Sequence, residues 1–150
     1  MIIIGITGSI GTGKSTIASM MRILRLPVHD SDLEVKKILE NNELAKKKIE
    51  QKWPGVTFSL GNKQIINKTK LAEIIFNHPK DRSFLENIIH PLVYESRNNF
   101  INKNKNKKII ALDVPLLYET GTDKVCDYIF LAYTSETKQK ARVLSRMNMT

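Results

Sequence analysis

Residues 8–15 read Gly8-Ser9-Ile10-Gly11-Thr12-Gly13-Lys14-Ser15, and these types at this spacing can hold a polyphosphate. They fit the phosphate-loop pattern G-x-x-x-x-G-K-[ST] at every fixed position. Gly8, Gly11 and Gly13 let the backbone turn tightly and aim N–H groups at phosphate oxygens. Thr12 and Thr16 add hydroxyls at the loop and the helix behind it. A helix beginning near Lys14 adds the positive end of its dipole. Lys14 can reach the β- and γ-phosphates, and the Ser15 hydroxyl can ligate Mg2+.

Carboxylates stand where a transfer reaction needs them. Asp113 closes the apolar run IIALD, as expected of the acid that holds Mg2+ directly or through water. Asp32 follows a second short strand. A carboxylate there could accept the proton of an attacking hydroxyl and orient it in line with the γ-phosphate. Asp30, just before it, suits either the site or a turn. Arg142 and Arg146 are four apart on a predicted helix, roughly 6 Å along its axis. Two guanidinium groups on one face could clamp transferring phosphates, or simply form a solvated face.

The elements that must position these groups alternate. Ile2–Thr7 is an apolar run that reads as a strand, followed by a helix over Lys14–Arg25 with Ile17, Met20, Met21 and Leu24 on one face. A short strand spans 26–30, and Ser31 or Asp32 can cap a helix to about Leu39. Further helices are expected over 41–51, 68–76 and 82–103. The last should break or kink at His90-Pro91, because proline lacks the N–H and clashes with the preceding turn. Residues 53–67, with Pro54, Gly55 and Gly61, read as irregular, with room for a small turn or hairpin, and Trp53 is best read as a packing anchor. Strands over 108–114 and 127–133 and a helix over 135–147 complete the pattern. Strands separated by helices predict an α/β fold: a parallel sheet covered on both faces, in three layers. Ligands bind such sheets at the carboxyl ends of the strands, where the loop and the three aspartates fall.

A chain of 150 residues, 41% hydrophobic, is one domain's worth with a real core. No apolar run approaches a membrane span. The single cysteine, Cys126, excludes an internal disulfide, suits a cytoplasmic protein and reads as a packing residue. The net charge of +9 invites a nucleic-acid reading. Yet the lysines are scattered or in short runs without interleaved aromatics, so no nucleic-acid or membrane partner is expected. A basic surface equally suits polyphosphate substrates.

Taken in order, several segments resemble the dephospho-coenzyme A kinase family. GITGSIGTGKST resembles its phosphate loop, and VHDSDLEVKKIL its V-x-D-x-D stretch, in which the second acid, here Asp32, is the proposed base. ENIIHPLVYE is similar to its His-Pro segment, ALDVPLLYETG to its D-x-P-L-L-x-E block, and KARVLSRMNMT to the start of its arginine-bearing lid. The resemblance implies transfer of the ATP γ-phosphoryl group to the ribose 3′-hydroxyl of dephospho-coenzyme A, with Mg2+, by a monomer. It implies a nucleotide core at 1–31 and 108–135, a helical acceptor-binding region at 32–107, and the start of a lid at 136–150. His90 is then an acceptor-site or a structural residue. Members of the family continue past the equivalent of Thr150, through the rest of the lid, a further strand and a closing helix. The resemblance therefore implies an exposed sheet edge, and detectable nucleotide binding with poor turnover.

Two other readings use the same loop. A GTP-binding switch protein is disfavoured, since Val-Pro-Leu rather than D-x-x-G follows Asp113 and no N-K-x-D motif follows a late strand. Another P-loop nucleoside or nucleotide kinase is the nearer alternative.

Overall fold

The computed structural model describes residues 1–147. They form two compact units. The first comprises residues 1–32 together with the chain from Asn99 onward, and the second spans Leu33–Asn98.

The first unit is built on a four-stranded sheet. Its strands are β1 (Ile2–Thr7), β2 (Val28–Asp30), β5 (Ile109–Asp113) and β6 (Tyr128–Leu131), in the order β2-β5-β1-β6 and all parallel. Alternation along β1 and β5 assigns each side chain to a face. Ile4, Ile6 and Ala111 pack on one side with Ala18 and Met21 of helix α1 (Lys14–Ile23). Leu112, Val114 and Leu117 pack on the other with Ile3, Phe100, Cys126 and Ile129. The central strands β1 and β5 are apolar on both faces because both faces are covered there, as parallel sheets require. The chain crosses from β1 through α1 to β2, leaving a place between them that β5 later fills. That crossing puts the carboxyl ends of β1, β5 and β2 side by side: Ile6 is level with Asp113, and Asp113 with Asp30.

Helix α1 turns inward only part of the face its periodicity favours, Ile17 and Met21, and adds Ala18 to it. Ala18 and Met21 are buried, with Ile17 partly so, whereas Met20 and Leu24 are 58% and 71% exposed. The small Ala18 lets the helix approach the sheet, and this rotates Met20 and Leu24 outward. At the other side of the sheet β6 pairs with β1 and forms an edge among the described residues, with Tyr128 and Leu131 exposed. Cys126 lies just before β6, half-buried, its Sγ donating to the Thr122 carbonyl.

The second unit holds most of helix α2 (Ser31–Asn41), then α3 (Glu43–Lys52), strands β3 (Thr57–Leu60) and β4 (Lys63–Ile66), α4 (Lys68–Phe76) and most of α5 (Pro79–Lys103). Ile49, Val56, Ile66 and Leu71 form its core, ringed by Trp53, Ile74, Leu85 and Ile88. Asn42 and Asn67 cap α3 and α4, each accepting from the backbone N–H three residues on. Three features refine the sequence reading: the first fills the room left for a hairpin in residues 53–67, and the other two depart from that reading. The region is not wholly helical: β3 and β4 pair antiparallel, closed by Gly61-Asn62, with Leu60 opposite Lys63. Two-residue Gly-Asn loops match the right-handed twist of a hairpin. Second, α2 opens directly out of β2, so Ser31 and Asp32 are its first two residues rather than caps ahead of it. Third, α5 runs unbroken through Pro91. Pro91 and Asn87, whose carbonyl loses its helical partner there, are both exposed, so the proline lies on the solvent side of the helix.

Helix α6 (Glu136–Met147) follows β6. No helix among the described residues is long and apolar enough to cross a membrane.

Candidate active site

The loop from Gly8 to Gly13 joins the end of β1 to the start of α1, as a phosphate-binding loop requires. Gly11 and Gly13 have φ of 77° and 101°, backbone that favours glycine. Thr12 braces the turn: its Oγ1 donates to the Ser9 carbonyl at 2.6 Å. Below the loop, the Val114 and Ala132 N–H groups donate to the Ile6 and Thr7 carbonyls at 3.0 and 2.8 Å, extending the sheet up to the turn. Lys14, Ser15 and Thr16 are the first residues of α1. Lys14 is half-buried, while Ser15 and Thr16 are exposed and open to a ligand.

Lys14 Nζ donates to Asp113 Oδ1, joining the loop lysine to the acid at the end of β5. Asp113 is only 3% exposed. Burial pushes its carboxyl above the usual carboxylate range, Lys14 pulls it back, and the charges of Asp30 and Asp32 push it up again. Asp30 is also held by Arg22, whose Nη2 lies 3.5 Å from Asp30 Oδ2. Asp32 is exposed on the first turn of α2. Lys14 therefore faces Asp113 directly, with the Asp30 and Asp32 carboxylates near enough to act on the same acid.

On the loop's outer side, Arg142 of α6 donates through Nη1 to the Gly11 carbonyl at 3.3 Å. Arg146 lies one turn further along α6 and is exposed. Gln139, which the sequence reading did not single out, donates through Nε2 to the Ile10 carbonyl at 2.8 Å. Its spacing was a usable signal, since 139, 142 and 146 share a helix face. His90 belongs to the second unit, on α5, half-buried with its ring centroid 6.2 Å from that of Tyr94.

A family model described as dephospho-CoA kinase matches residues 2–150. The dephospho-CoA kinase of Zymomonas mobilis is 37% identical over 150 residues, covering 100% of this chain and 74% of that protein. That of Bartonella henselae is 40% identical over 152 residues, covering 100% of this chain and 75% of that protein. Among solved structures, TT1252 from Thermus thermophilus superposes with a TM-score of 0.76 at 30% identity, covering 99% of this chain and 74% of that one. The dephospho-CoA kinase from Campylobacter jejuni shares the fold, with a TM-score of 0.64 at 19% identity. The match runs through the phosphate loop, the strand-end acids and the arginine-bearing helix alike, and the chain belongs to the dephospho-CoA kinase family.

Proposed function

We propose that this chain transfers the γ-phosphoryl group of ATP to the ribose 3′-hydroxyl of dephospho-coenzyme A, giving ADP and coenzyme A. The observation that carries the reading is the family match over residues 2–150, with Lys14 and Asp113 already joined at the strand ends. The loop backbone from Gly8 to Gly13, with Lys14, Ser15 and Thr16, binds the nucleotide phosphates. Asp32 orients the acceptor hydroxyl. The hydroxyl oxygen forms a bond to the γ-phosphorus, the bond from that phosphorus to the β,γ-bridging oxygen breaks, and the hydroxyl proton passes to the Asp32 carboxylate. Lys14, Arg142 and Arg146 balance charge on the phosphoryl oxygens in a loose transition state. His90 serves the acceptor, a role that rests on its place in the ENIIHPLVYE segment.

The residues present fit Mg2+. Ser15 offers a hydroxyl and Asp113 a carboxylate, both hard oxygen donors, in a site where burial and like charges hold the acid above its usual range. Among the described residues no three acidic, His or Cys side chains converge on a metal position. When bound, Mg2+ neutralises charge on the β- and γ-phosphate oxygens. We further propose that the protein works as a monomer in the cytoplasm, on small-molecule substrates alone.

An acceptor comparison tests the reading. With ATP and Mg2+, dephospho-coenzyme A should be consumed far faster than AMP, adenosine or shikimate, because binding energy from its remote pantetheine arm orients the hydroxyl. Equal or faster turnover of AMP or shikimate would leave a P-loop kinase of a different specificity.

A further inference from the structure

The tip of the phosphate loop carries a contact that the proposed reaction does not explain. Gln139 Nε2 donates to the Ile10 carbonyl at 2.8 Å, and Arg142 Nη1 to the adjoining Gly11 carbonyl at 3.3 Å. Gly11 makes so close an approach possible. A Cβ there would lie 3.1 Å from both the Gln139 carbonyl oxygen and Val143 Cγ2. Gln139, Arg142 and Val143 share one face of α6, so the helix meets the loop with three side chains at once.

Both contacts are to carbonyl oxygens, and this has a geometric consequence. The peptide joining Ile10 to Gly11 is trans, so its C=O and N–H point in opposite directions. Holding the Ile10 carbonyl toward α6 turns the Gly11 N–H away from α6. Gly11 sits at φ 77°, where a glycine faces little steric cost in rotating the preceding peptide. That peptide is the central one of a turn closed by the Thr12 N–H donating to the Ser9 carbonyl at 3.3 Å, and such a turn accepts either orientation of that plane, so a contact from outside the loop can bias the choice. Arg142 is poorly suited to the task, because its guanidinium is a candidate phosphate ligand. Gln139 is neutral and half-buried, and its amide spends a donor on the loop itself.

Resting on the kinase reading above, we propose that Gln139 is a positioning residue: it locks the Ile10–Gly11 peptide so that the Gly11 N–H is presented to a nucleotide phosphate. Gln139 acts through the loop rather than on the substrate. Losing it leaves the plane free to flip, and a flipped plane offers a carbonyl where the phosphate needs a donor.

The test compares Gln139→Met, equal in length and helix preference but without a donor, with Gln139→Lys, which keeps one. ADP binding is measured by calorimetry at about 0.3 M salt, so that the added lysine charge is screened. Gln139→Met should weaken ADP about tenfold, the loss of one charge-assisted hydrogen bond, while Gln139→Lys stays within about twofold of the parent chain. The Gly11 amide resonance should shift on ADP addition in the parent and in Gln139→Lys, and stay in place in Gln139→Met. Parent-like ADP affinity in Gln139→Met would overturn the proposal. Equal losses in both variants would also overturn it, by assigning Gln139 a packing role. ADP binding needs no acceptor, so a chain that binds ADP as described but leaves dephospho-coenzyme A untouched would defeat the kinase reading alone.

Discussion

Replacing Lys14 by alanine should lower phosphoryl transfer by about 10³-fold or more, with the far-UV circular dichroism unchanged. Two effects combine. The ammonium group is lost from the site where charge develops on the transferring phosphoryl group, and removal of such a group costs on the order of 10²–10⁵-fold in comparable sites. The variant also leaves Asp113 buried without the cation that now faces it. Burial and the nearby Asp30 and Asp32 would then act on that carboxyl unopposed and push it further upward. A protonated Asp113 is a poor metal ligand, so the deficit should narrow as pH rises through its raised value. Steady-state turnover of the two proteins across a pH series reads both effects. A variant that keeps most of its turnover would remove Lys14 from the reaction.

The second large effect belongs to Asp32. Asparagine in its place keeps the size of the side chain but cannot take the hydroxyl proton. Turnover should fall by about 10²–10⁴-fold, the usual worth of a general base. ATP affinity should remain close to that of the parent, because the nucleotide is held by the loop. Measuring kcat beside ATP binding separates the alternatives. A loss confined to ATP binding would make Asp32 a metal-side or structural residue instead.

The site's linear parts were legible because their chemistry is local. The loop needs its glycines, lysine and serine within eight consecutive positions, and Asp113 announces itself as an acid ending an apolar strand. What escaped is set by tertiary contact. The Lys14–Asp113 pair joins residues 99 apart, and the Gln139–Ile10 bond residues 129 apart. Periodicity places Ile17, Met20, Met21 and Leu24 on one apolar face of α1; the sheet takes up Ile17 and Met21 with the small Ala18, and leaves Met20 and Leu24 exposed. Pro91 argues locally for a break, yet its place on the solvent side of α5 lets the helix continue at a cost of about 3 kcal/mol met by packing elsewhere. The hairpin did leave a mark, the Gly61-Asn62 pair between two short alternating runs. Four-residue strands inside a region dominated by helices are weak evidence until they are seen paired.

The most direct test of the account follows the phosphorus atom itself. ATP labelled in its γ-phosphate is incubated with this chain, Mg2+ and dephospho-coenzyme A, and the products are separated and read by 31P NMR. The expected product is a labelled monoester on the ribose 3′-oxygen, formed in step with unlabelled ADP and slowed by about 10²–10⁴-fold in Asp32→Asn. Label found only in inorganic phosphate, or only on another hydroxyl, would contradict it.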